Sequence, residues 1–180
     1  MDIYETDSMS RKDIYLYAKQ LRKAFNVGKR LYFPVCEIFE CFPILFPECT
    51  IEICPDSDFD KETHGTTDIN NKIIKIKESV YDSAVKGNGR DRATLLHEMS
   101  HYLLLVVSSM SLTRKFSNKR PPAYKDPEWQ AKALTGELMM PRHLIKDLSI
   151  EEIMHKCGVS YESASLHYKL IHKDDYQRSL

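Results

Sequence analysis

Net charge is missing from this 180-residue chain, in which 26 Lys and Arg stand against 26 Asp and Glu. That balance removes the electrostatic case for gripping nucleic acid or an acidic membrane surface, so no direct nucleic-acid contact is expected. Long apolar runs are missing too: none approaches the roughly 18 residues of a membrane span, and the opening MDIYETDSMSRKD has no apolar core of a secretory signal. The expectation is a cytoplasmic protein. The five cysteines (Cys36, Cys41, Cys49, Cys54 and Cys157) lack the C-x2-C knuckles of structural zinc, and their odd number without an export signal argues for reduced thiols. Internal repeats and low-complexity tracts are absent as well.

What is present fits one domain over 1–180, with residues 1–9 as a flexible lead and 149–180 as a helical C-terminal part. Ser10 and Asp13 form a capping-box pattern, after which Ile14, Tyr17, Ala18, Leu21 and Phe25 recur at helical spacing up to Gly28. A second short helix spans 34–46. TIEIC (50–54) and KIIKIKE (72–78) read as strands, and the turn-rich segment between them has room for a third. Together they predict a small antiparallel sheet of about three strands. A helix from about Arg92 to Val107 is expected behind Asp91 as its cap, then a long basic loop over 108–125. Asp126 caps the next helix with Pro127 in its first position, and Pro141 stops it. Ser149 with Glu152 opens a further helix closed by Gly158, and Ser160 opens the last. Strands flanked by runs of helices make the class α+β, mainly helical.

The chemistry is concentrated in TLLHEMSHYLLLVV (94–107). With His97 at 0° on the helical wheel, His101 falls near 40° and Glu98 near 100°, while Leu95, Leu96, Met99, Tyr102, Leu103, Val106 and Val107 lie opposite, at about 140° to 280°. Imidazoles at i and i+4 can aim ring nitrogens at one ion. Glu98 is offset, too far round for a third ligand but suited to take a proton from water activated there. This is the H-E-x-x-H pattern of a zincin-like active-site helix, set against the plainer reading of two satisfied surface histidines. Leu104 and Leu105 fill the next turn, which removes the metzincin spacing and sends the search for a third ligand to another helix. Glu128 is the best candidate and Asp126 the other contender, though Asp126 serves the cap. Glu128 reads equally as a first-turn glutamate favoured by the helix dipole and paired with Lys132. Glu137 lies about 180° away on that helix and cannot face the same ion. His64, Tyr124 and His143 are candidates for stabilising an oxyanion, and strand 72–78, if an edge, for pairing with an extended substrate.

The blocks NGRDRATLLHEMSHYLLL and DPEWQAKALTGELMMP, at this separation, resemble the ImmA/IrrE family of metallopeptidases, with weaker similarity over Gly65 to Tyr81 and over IEEIMHKCGVSYESASLHYKL, so that about residues 10 to 170 fit. The resemblance implies a zinc-dependent endopeptidase with one catalytic Zn2+, held by His97, His101 and Glu128, and with Glu98 as the base. It implies a protein substrate, a helix-turn-helix repressor of a phage or mobile element. The family favours Asn where this chain has Lys132, and Phe-Ala-Ala where it has Leu134, Thr135 and Gly136. The alternative is a binding module or toxin-antitoxin component that keeps the fold without hydrolysis. The last two helices have the length and turn of a helix-turn-helix without its basic recognition face, which suits packing or partner docking.

Overall fold

A computed structural model describes residues 3–115 and 119–178. Five strands and eight α-helices follow in the order β1 (Ile3–Thr6), α1 (Arg11–Ala24), α2 (Val35–Leu45), β2 (Thr50–Cys54), β3 (Gly65–Asp68), β4 (Ile73–Lys77), α3 (Glu78–Val85), α4 (Gly89–Tyr102), β5 (Leu112–Lys115), α5 (Pro127–Met139), α6 (Arg142–Ile145), α7 (Ile150–Cys157) and α8 (Tyr161–Arg178). The α+β class and the helical majority are as expected. Among the described residues, no helix is long and apolar enough to cross a membrane.

The three-stranded sheet has the order β2-β4-β3, and its pairing is mixed rather than wholly antiparallel. β3 and β4 form an antiparallel hairpin, whereas β2 lies parallel to β4, Ile51 opposite Ile74 and Ile53 opposite Ile76. The reason is the connection: the short hairpin takes one flank of β4, so β2 reaches the other only by a long crossover, which returns the chain in the same direction. Ile74 and Ile76 are fully buried on the central strand.

Residues 3–6, expected as part of a loose lead, form β1 and pair antiparallel with β5, Ile3 opposite Lys115 and Thr6 opposite Leu112. The basic 108–125 loop therefore contains a strand; its residues 116–118 lie outside the described part. The partner of this strand is more than 100 residues away, which no local pattern encodes.

Helix α4 starts one turn before the expected point. Asn88, not Asp91, is the cap, its side chain accepting from the backbone N–H groups of Arg90 (3.0 Å) and Asp91 (3.2 Å). At the far end, residues 103–107 widen into a π turn in which the Ser108 N–H reaches the Leu103 carbonyl at 3.0 Å. Tyr17 Oη also donates to that carbonyl, at 3.0 Å. The wider turn lets three consecutive leucines, Leu103, Leu104 and Leu105, all be buried. α4 thus runs through the middle of the molecule, packed against α2, α3, β3 and α5.

Two buried arginines close loop and helix ends around it. Arg22 donates to the carbonyls of Leu138, Val27 and Arg30. Arg92 donates to Gly158 (2.6 Å) and Phe33 (2.7 Å) and stacks 4.1 Å over Tyr32. Gly158 caps α7 in the left-handed region (φ 65°), as expected, and a Cβ there would meet Arg92 at 2.5 Å, so only glycine suits both demands.

Candidate active site

The open cleft between β3, α4 and α5 holds all four expected residues. On α4, His97 and His101 bring their Nε2 atoms within 3.2 Å of each other. Across the cleft, Glu128 Oε2 is 3.4 Å from His97 Nε2, and Oε1 is 3.2 Å from His101 Nε2. Its position follows from the local sequence: Asp126 accepts from the N–H groups of Glu128 (2.9 Å) and Trp129 (3.3 Å), which fixes the first turn and commits Asp126 to the cap. Hydrogen bonding to His101 first, and to His97 next, holds the Glu128 carboxyl well below the usual carboxylate range. Glu137 is on the other side of α5, buried against Arg142 at 2.6 Å.

Four ligands at 2.0–2.1 Å around a tetrahedral ion stand about 3.3 Å apart. The three separations here, 3.2 to 3.4 Å, have that size, and two imidazoles with a carboxylate are a donor set suited to zinc. His97, His101 and Glu128 are thus a group that could hold a metal ion.

Glu98 is buried at 8% exposure, on the flank of α4 that meets β3. Thr67 Oγ1 stands 2.7 Å from Glu98 Oε2 and 3.0 Å from the Glu98 carbonyl, so its single proton fixes the carboxylate or the helix backbone, one at a time. Gly65 is what allows β3 so close: a Cβ there would lie 3.0 Å from Glu98 Cγ, 3.1 Å from the Lys75 carbonyl and 2.7 Å from Ile76 Cδ1. The isoleucine tip can swing away, but the carbonyl cannot. Gly65→Ala is expected to cost about 1–3 kcal/mol through this overpacking, read as a lowered urea midpoint.

Thr67 and Gly65 were not among the candidates from sequence. A glycine inside a strand does signal a close backbone approach, but not what it approaches. The α4–α5 contact contains a further polar pair, Ser100 and Thr135, whose buried hydroxyls face each other at 3.1 Å. Of the proposed oxyanion residues, only His64 lines the cleft, with Nε2 3.1 Å from Arg90 Nη2. His143 instead packs edge-on against Tyr15, and exposed Tyr124 gives its backbone carbonyl to Gln130. Strand 73–77 is central, so it cannot take a substrate strand; the edge beside the cleft is β3, whose Gly65, Thr66 and Thr67 line it.

Residues 50–168 match the family model described as the IrrE N-terminal-like domain, of the M78 peptidases. The chain belongs to this family. The M78 match runs from β2 into the first half of α8, takes in both helices of the site, and agrees with the resemblance read from the two motif blocks. It makes a metallopeptidase-type function the appropriate frame for the cleft. No curated protein matches this M78 chain.

Proposed function

We propose that this protein is a zinc-dependent endopeptidase that hydrolyses a peptide bond in a partner protein, a helix-turn-helix repressor of a phage or mobile element, in the cytoplasm. The observation that carries the reading is the triangle of His97, His101 and Glu128 with Glu98 beside it on the same helix. A zinc ion there supplies a Lewis acid, which lowers the pKa of water and polarises a carbonyl. His97 and His101 would hold the ion from α4, and Glu128 from α5. Glu98 takes the proton of the attacking water and returns it to the leaving amine, turned toward that task by Thr67. The edge of β3 offers backbone groups to an extended peptide. The family resemblance supports a repressor as the substrate, and a cleft open enough for a chain segment supports a peptide in it.

The test is to incubate the zinc-loaded protein with the repressor encoded beside it and look for discrete fragments. Absence of cleavage, with equal binding by wild type and a Glu98→Gln variant, would overturn the reading and leave a non-hydrolytic binding module. The ligand set has its own test in Glu128→Ala. After gel filtration, elemental analysis should show near one zinc per chain for wild type and clearly less for the variant; undiminished zinc moves the third ligand elsewhere.

A further inference from the structure

Past the metal-ligating side chains, the cleft adjoins a second hollow of about 290 Å³ between α1, α4, α5 and α8. Ala93, Lys132, Thr135 and Ser163 line both, so the two spaces meet along a shared rim. The wall is mostly apolar: Trp129, Ala133, Met139 and Met140 from α5 and its end, and Leu166 and Leu170 from α8. An apolar cavity of about 150 Å³ is known to stay dry and admit benzene, so one of this size has room for a large side chain. Its position along the helices sets which side chain. Ala93 precedes His97 by four residues, and Lys132 follows Glu128 by four, one turn or about 5.4 Å in each case. An extended peptide advances about 3.3 Å per residue, so that offset corresponds to one or two residues from the bond under attack.

We infer that this hollow is the specificity pocket of the cleft and receives a large apolar side chain, Phe, Leu or Met, placed one or two residues from the scissile bond. The inference rests on the peptidase reading for the meaning of the scissile bond, while the binding itself does not require hydrolysis. Lys132 stands exposed at the rim, where a lysine's aliphatic stem can border the apolar space. The occupant follows from the continuity of the two spaces and from the lining of the inner one: burying an apolar side chain there removes it from water, whereas a carboxylate would give up its hydration for a mostly apolar wall that also carries Glu137, with Arg11 and Lys132 as its cations.

Trp129 is the chain's one tryptophan and lines the hollow, so its fluorescence reports entry. The experiment titrates the protein with hexapeptides that differ only in carrying Phe, Ala or Asp at one position, and follows both Trp129 emission and cleavage. Phe peptides should bind at least tenfold more tightly than Ala peptides, with a change in emission, and Asp peptides should bind no better than Ala. Ala133→Phe, which fills the hollow, should erase the preference for Phe, so that Phe and Ala peptides bind alike. Leu166→Ala, at a 63% exposed position and so safe for folding, should widen the space and favour Trp over Phe. A Phe preference that survives Ala133→Phe, or no preference and no change in emission, overturns the pocket. Binding through Trp129 without cleavage of any peptide or of the repressor supports the pocket and removes the peptidase reading, so the two fail separately.

Discussion

Replacing Glu98 by glutamine is expected to lower kcat about 10²- to 10⁴-fold while zinc content and urea stability stay at wild-type values. The side chain keeps its shape, and a carboxamide oxygen can still accept from Thr67 Oγ1, 2.7 Å away in the native protein. The triangle of His97, His101 and Glu128 does not include it. What is lost is the ability to take a proton from water. Turnover of the repressor, elemental zinc and repressor affinity should be measured on the same preparation. A variant within threefold of wild-type turnover would remove Glu98 from the role of base.

Arg92→Ala should be the most destabilising of the substitutions proposed, by roughly 3–6 kcal/mol from its two lost charge-assisted hydrogen bonds and the lost packing. The guanidinium is 1% exposed and serves the carbonyls of Phe33 and Gly158, which join the segment before α2 to the α7–α8 turn. Alanine removes the donor to the Gly158 carbonyl, leaves the Phe33 carbonyl with only the Val35 N–H at 2.9 Å, and opens the space over Tyr32. The unpartnered Nε of Arg92 is a cost that the substitution removes, which argues for the lower half of the range. Against a domain stability of about 5–15 kcal/mol, this loss takes a large share, and a urea titration should show it as a midpoint shift without a change in slope. A shift below about 1 kcal/mol would mean that water reaches the carbonyls once the side chain is gone.

The difference between these residues explains what was legible beforehand. His97, Glu98 and His101 could be read because a helix converts spacing into direction, and Glu128 because Asp126 and Pro127 mark where its helix begins. The capping boxes at Ser10 and Ser149 were local for the same reason, and both are formed. Thr67 and Gly65 depend on β3 lying against α4, some thirty residues away in sequence, and β1 on a partner at the other side of α4. The parallel pairing of β2 was illegible too, since the alternation of Ile in 72–78 says which face is buried and nothing about a neighbour's direction. Asn88 was within reach of sequence reasoning: it and Asp91 are both good caps, and the structure uses the earlier one.

The N-terminal segment acquires an unexpected reach from one buried amide. Gln130 Nε2 donates to the Asp7 carbonyl at 2.8 Å and to the Tyr124 carbonyl at 2.9 Å, and the latter also accepts from the Met9 N–H at 2.8 Å. These bonds stitch residues 7–9 to the turn that launches α5, two residues from Glu128. Removing residues 7–9, or pulling on them, would therefore loosen Glu128, the one member of the His97, His101 and Glu128 group that α4 does not carry, so this segment acts as a brace for the far wall of the cleft.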